Sequence, residues 1–301
     1  MKVKKEVTFS SHKKTVVTDS YLSFRKYEQK RKIGLFLIYL VLIVTCLIAF
    51  FPLFWMFGTS LKSRVEAFAT PPIWFFSPKL DSYKTLFFKK NAGLFLWNSI
   101  IISMSSSFIS VVIGTIGAYS LTRFEFKGSQ SIAFWILSNR LMPPVARVLP
   151  IFFIGQTLGL LDTRISLIVL YSAMQLPFVI WMMRGFLQEI PRDIEEAAMV
   201  DGDSWFAAAR KVTLPMAMPA IIATAIFVLI LSWNEFTFAF ILAAGRAKTL
   251  PPSVLTFMEE GTVLWHEVGA AASIISIPII LFALLVQKNL VRGLTFGMLK
   301  D

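Results

Sequence analysis

Residues 33–57, from Ile33 to Phe57, contain no charged side chain. At ~1.5 Å per helical residue this run is longer than the ~30 Å hydrocarbon core of a bilayer. In lipid every backbone polar group must be satisfied internally, so the run predicts a membrane-spanning helix. A secretory signal peptide is the competing reading, and Ala67-Phe68-Ala69 offers a small-residue pattern for it. The apolar run is too long for that, and Lys62, Arg64 and Glu66 intervene before the triplet. Five further apolar stretches follow at about 94–121, 131–158, 165–187, 217–244 and 267–287. The expected fold class is therefore all-α, a polytopic membrane protein with six transmembrane helices. Met142-Pro143-Pro144 and Pro150 predict a break in the third span. Pro177, Pro219 and Pro278 also fall in apolar runs, where neighbouring helices can re-satisfy the freed backbone groups.

Composition agrees. The chain is 56% hydrophobic and 16% charged, with mean hydropathy +0.68, whereas a soluble domain carries about 25% charged residues. The net charge of +12 does not mark a nucleic-acid surface, because ten of the 30 Lys and Arg lie in residues 1–32 beside three acids. That segment reads as a basic cytoplasmic tail, largely mobile, ahead of a six-span domain at 33–301. Six spans put both termini on one side. With the termini inside, the inner segments hold nineteen Lys and Arg and the outer loops nine, which fits the positive-inside bias. Without the tail the counts are equal, so the orientation rests on those residues.

Several chemistries lack the residues they need. Cys46 is the one cysteine, so no intrachain disulfide forms. His12 and His266 are far apart and have no Cys or His at metal-ligand spacing, so no metal site is expected. No nucleophile–base pair is apparent, and the chain is expected not to be an enzyme. It has no G-x-x-x-x-G-K-[ST] phosphate loop and therefore no usual means of binding ATP. No internal repeat or low-complexity tract is evident.

One polar island stands out at residues 188–215. Pro191 suits the first turn of a helix, and Asp193, Glu195 and Glu196 follow near the positive end of its dipole. Ala197 and Ala198 favour the helix and allow close approach by another surface. Gly202 permits a turn that other residues resist. Asp203 or Ser204 can cap a second short helix running through Arg210 and Lys211, with Leu214-Pro215 ending it before the next span. A connector resting on lipid headgroups would be the plain reading. Residues 188–203, however, carry six acids and one base, which an anionic inner leaflet repels. A protein partner fits better. A DNA-binding helix-turn-helix fails, since neither helix is basic.

The spacing Glu196-Ala197-Ala198, three residues, Gly202, nine residues, Val212, any residue, Leu214-Pro215 resembles the coupling-loop motif of inner-membrane subunits of bacterial ABC importers. Val212 stands where isoleucine is usual. Trp97-Asn98-Ser99, Arg140-Leu141-Met142-Pro143-Pro144, Leu158 through Thr163, Trp233-Asn234-Glu235-Phe236 and Val291 through Thr295 extend the likeness. They point to the carbohydrate branch and to the maltose-system partner with six spans, over about residues 40–301. The resemblance implies a type I ABC-importer permease fold in the bacterial cytoplasmic membrane. It also implies a heterodimer with a second permease subunit, an ATPase dimer holding ATP and Mg, and an extracytoplasmic solute-binding protein delivering a sugar or polyol. Glu195, Glu196, Ala197, Ala198, Asp201, Gly202, Leu214 and Pro215 would form the ATPase-coupling element. Residues 246–266 would touch the binding protein, and 293–301 would reach toward the ATPase.

Ionisable groups inside the spans mark candidate path residues. Arg140, Arg147 and Glu235 each cost ~2.5–3.5 kcal/mol at a helix centre and should face protein or a wet cavity. For Arg140 and Glu235 a structural role is the plain reading, and Arg147, if it lines the translocation path, would favour an anionic or heavily hydroxylated solute. Trp233 and Asn234 could stack on and hydrogen-bond to a sugar, or simply pack. The competing function is a self-sufficient secondary transporter with Glu235 as its proton or cation site. A non-transporting scaffold would need neither broken helices nor intramembrane charges.

Overall fold

The computed structural model describes residues 11–124, 126–259 and 262–296. The chain divides into two units, Met1–Met56 and Phe57–Asp301. In the first, the described residues form one helix, α1 (Ser11–Ser60), which continues into the start of the second unit. Residues 11–32 lie within the bounds of this helix. They contain no proline, and their many Lys, Arg, Glu and Gln side chains are good helix formers.

In the second unit a capped turn, α2 (Arg64–Phe68), precedes α3 (Asp81–Phe88) and the long α4 (Ala92–Arg123). Next come α5 (Ser129–Ser138), α6 (Pro144–Thr157) and α7 (Arg164–Glu189). The polar island holds α8 (Arg192–Val200) and α9 (Trp205–Ala208), and α10 (Leu214–Trp233) follows. The chain closes with α11 (Thr237–Leu242), α12 (Leu250–Ser253) and α13 (Trp265–Phe296). The one departure from helix and loop among the described residues is a two-residue ladder, β1 (Met258–Glu259) against β2 (Thr262–Val263).

Five helical stretches are long and apolar enough to cross a membrane: 31–60, 92–123, 164–189, 205–233 and 265–284. The third expected span, 131–158, is not among them. It is α5 and α6, of 10 and 14 residues, separated by a 3₁₀ turn at Asn139–Leu141 and an extended Met142-Pro143. The break follows from the prolines. Each pushes the residue before it out of the helical region, leaving Met142 at ψ 124° and Pro143 at ψ 133°.

The fifth expected span, 217–244, is also corrected. The helix stops at Trp233, and residues 237–242 form the separate α11. The stop falls at Asn234-Glu235, the polar pair within an otherwise apolar stretch.

The packing frame is α4 against α7. Ser99, Ser103, Ser106, Ser110, Gly114 and Ala118 recur every three or four residues along one face of α4 and are all buried. Small residues let helix backbones approach closely where lipid supplies no hydrophobic drive. The approach is close at Gly114, where a Cβ would lie 2.6 Å from Val179 Cγ1. Hydrogen bonds cross the same contact, with Ser110 Oγ donating to the Ser172 carbonyl at 3.1 Å. Val228 and Ala217 of α10 complete this core with Val111, Val179 and Met183.

Candidate functional site

The polar island folds into a helix with one face anchored and the other bare. Pro191 lies just before the first turn of α8, and Asp193 and Glu195 fall within that turn, favourably near its positive end. At the far end the Asp203 N–H donates to the Ala198 carbonyl at 3.1 Å and the Gly202 N–H to the Met199 carbonyl at 3.0 Å. These two bonds form a Schellman cap, whose turning residue needs positive φ. Gly202 supplies it at φ 100°. A Cβ there would meet nothing within 4 Å, so the demand for glycine comes from the backbone angle. Ser204 then caps α9, its Oγ accepting the Ala207 N–H at 3.3 Å.

The second helix does not end at Leu214-Pro215. A π-helical turn at Ala209–Thr213 carries it into α10, with the Leu214 N–H reaching back to the Ala209 carbonyl. Proline lacks an N–H and crowds the carbonyl four residues back. The wider turn just before Pro215 relieves both problems, so the helix passes through.

The predicted coupling residues separate by exposure. Glu196, Ala197, Asp201, Gly202, Leu214 and Pro215 are exposed, and Ala198 is half-buried. Glu195 is different, at 1% exposure. Its Oε1 accepts Arg123 Nε at 2.8 Å and also the Thr213 hydroxyl, and its Oε2 accepts the Tyr119 hydroxyl at 3.0 Å. Glu195 is therefore an internal anchor and is not part of the bare surface. Arg123 Nη2 also donates to the Ile190 carbonyl at 3.1 Å, and Arg192 Nη2 to the Thr122 carbonyl at 2.8 Å. Sequence reasoning passed over Tyr119, Arg123 and Thr213. An arginine in the last turn of a long helix reads as a dipole partner, and nothing local ties it to a carboxylate 72 residues away.

Each candidate path residue has its own surroundings. The Arg140 guanidinium lies 4.7 Å over the Phe178 ring, a cation–π contact. Arg147, on α6, is half-buried, and its Nε has no hydrogen-bond partner among the described residues. Trp233 is buried and donates from Nε1 to the Ile275 carbonyl at 3.1 Å, locking α10 to α13. Asn234 is exposed and bonds back to Ile230 of its own helix. Glu235 caps α11. Its carboxylate accepts the Phe238 and Ala239 N–H groups, each at 3.1 Å, and the Tyr171 hydroxyl at 2.9 Å.

A second hub, unforeseen in the sequence, lies at the other ends of the long helices. Asp162, at φ 56°, accepts three backbone N–H groups, from Gly245, Arg246 and Ala247. Asn98 Nδ2 donates to the Arg246 and Lys248 carbonyls, both at 2.8 Å, while its Oδ1 accepts Arg164 Nε at 2.8 Å. Segment 243–250 is thus tied to α4 and to the start of α7. The sequence marked Asn98 and Asp162 only as members of two family-like segments, with no sign that they meet the same loop. Among the described residues no group of three His, Cys, Asp or Glu could hold a metal ion.

Residues 110–296 match the family model described as "Binding-protein-dependent transport system inner membrane component". The chain is 34% identical to the trehalose/maltose transport system permease protein MalG of Thermococcus litoralis, over 86% of this chain and 94% of that protein. It is 36% identical to the trehalose transport system permease protein SugB of Mycobacterium tuberculosis, over 84% and 93%. Its fold is similar to a chain of a bacterial ABC transporter that imports the acidic polysaccharide alginate. That match has TM-score 0.72 and 23% identity, covering 85% of this chain and 96% of that one.

Proposed function

This chain belongs to the family of binding-protein-dependent transport system inner membrane components, and we propose that it is a carbohydrate ABC-importer permease subunit that receives mechanical work through α8. The single observation that carries the coupling role is the two-sidedness of α8, with Glu195 buried and Glu196, Ala197 and Gly202 exposed. A helix held by a buried anchor beside a small-residue outer face suits docking into a cleft of a separate protein. The chain has no phosphate loop of its own, so the ATP and Mg that drive transport belong to an ATPase dimer.

In this reading the broken α5–α6 pair crosses the membrane as the third of six spans. Both termini and α8 face the cytoplasm. The ATPase dimer closes on ATP and pulls α8, switching the spans from inward-open to outward-open. A solute-binding protein delivers sugar or polyol to the opposite face, touching residues 246–266. A second permease subunit supplies the other half of the path. Residues 297–301 of the C-terminal segment, also assigned to the ATPase side, lie outside the described residues.

The ion-coupled carrier built on Glu235 has weaker support. A carboxylate held by two amides and a tyrosine hydroxyl is already engaged as the cap of α11.

The test is co-purification of the ATPase subunit together with uptake of trehalose and maltose, the sugars named for the two relatives. Glu196→Lys and Gly202→Asp should each remove both while leaving the protein inserted. Survival of ATPase binding and uptake in both variants would refute the coupling role.

A further inference from the structure

We propose that the Glu195–Arg123 pair is a positioning device that makes α8 and the end of α4 one rigid body. A displacement applied to α8 is then delivered to the α4–α7 frame without loss. The inference rests on α8 being the docking helix.

The pair is sealed from solvent, with side-chain exposures of 2% for Arg123 and 1% for Glu195. Both carboxylate oxygens are used, and they draw on two elements: Tyr119 and Arg123 of α4, and Thr213 of the π turn before α10. Arg123 also holds the Ile190 carbonyl, and Arg192 holds the Thr122 carbonyl. The start of α8 is therefore stapled to the last turn of α4 in both directions. A carboxylate serving only the helix dipole would gain from the terminus while staying in water. This one has left water, which holds only where partners satisfy it fully.

The geometry favours transmission. Glu195 and Glu196 are consecutive, so the anchor and the bare face share one helical turn. A force on Glu196 or Ala197 reaches the anchor within a residue. From Arg123 the load enters a 32-residue helix whose buried small-residue face is locked on α7. Contact with Thr213 gives α10 a share of the same load.

The experiment measures distance between two spin labels by double electron–electron resonance in the complete complex with its ATPase subunit. Labels are placed at Ile194→Cys on α8 and Phe108→Cys on α4, both exposed, with Cys46→Ser as background. Spectra are taken without nucleotide and after trapping with ATP and orthovanadate. The proposal predicts one narrow distance, the same in both states. Glu195→Gln should broaden it and make it shift on trapping, and Arg123→Lys should do so less. If Glu195→Gln does not assemble, Arg123→Lys carries the same prediction. A parent distance that moves on trapping by more than about 2 Å, the ordinary scale of a helix shift, overturns the proposal. So does a Glu195→Gln or, in its place, Arg123→Lys distribution identical to the parent's. Docking is scored separately by Glu196→Lys: retained ATPase binding there, with the parent distance still fixed, counts against docking and leaves the rigid pair standing.

Discussion

Asp162 Oδ1 accepts the Gly245 N–H at 2.9 Å, joining residues 83 positions apart. A Cβ at residue 245 would sit 2.9 Å from Asp162 Oδ2, so a side chain there would push against the carboxylate. Burial pushes the Asp162 carboxyl up, but the amides of Arg246, Ala247 and Gly245 and the Arg246 charge outweigh it and hold the carboxyl below its ordinary value. A depressed folded value means stabilisation that is complete above the unfolded pKa of ~3.9 and is lost as pH falls through the folded value. A spin label at Ala244→Cys should therefore stay immobile from neutral pH down to about that unfolded pKa and loosen below it. Asp162→Asn should be looser already at neutral pH and flat with pH. An Asp162→Asn label as immobile as the parent's would remove the anchoring role.

Gly114 packs under Val179 with no room for a methyl group. Gly114→Ala should destabilise the purified protein by about 1–3 kcal/mol, the usual cost of overpacking, read as a lowered thermal midpoint. Val179→Ala in the same chain should recover part of that loss. A Gly114→Ala protein as stable as the parent would mean that α4 and α7 separate easily.

Glu235 acts on α11 through hydrogen bonds that glutamine can partly replace. Glu235→Gln should therefore keep uptake within a few-fold and leave its pH dependence unchanged. Glu235→Ala removes the cap and leaves the Tyr171 hydroxyl unsatisfied, for a combined cost of about 2–4 kcal/mol. Uptake that is abolished in Glu235→Gln and driven by a pH gradient in the parent would instead support the ion-coupled carrier.

Among the described residues no hydrogen-bond partner reaches the half-buried Arg147 Nε. Arg147→Gln should raise stability by about 1 kcal/mol by removing a poorly compensated charge. Its assignment to the translocation path is a proposal, and on that proposal Arg147→Gln should also lower uptake of anionic sugars more than of neutral ones. Equal losses for both classes would show that Arg147 does not select charge.

The sequence made the long apolar helices and the bend in the polar island legible, because hydropathy, Pro191, Gly202 and Ser204 act locally. It misplaced two ends. Leu214-Pro215 reads as a stop, yet a π turn just before it lets the helix continue. Residues 236–243 read as part of one span, yet Glu235 turns to cap α11 and ends the helix at Trp233. The π turn leaves no mark in the apolar pattern, and Asn234-Glu235 reads as a polar pair within one span until the Glu235 hydrogen bonds to α11 are seen. The anchor at Glu195 was hidden for another reason. Its partners at 119, 123 and 213 become neighbours only once α4, α8 and the π turn pack together. Asp162 and Asn98 were hidden in the same way.

The central claim is that the outer face of α8 meets an ATPase subunit. The most direct measurement is photo-crosslinking from p-benzoylphenylalanine placed at Ala197 in intact membranes, with the adduct identified by mass spectrometry. The account predicts a single dominant adduct to the ATPase subunit, absent when the same group replaces the exposed Phe108 of α4. Adducts to lipid alone at residue 197, with the ATPase subunit present and assembled, would contradict it.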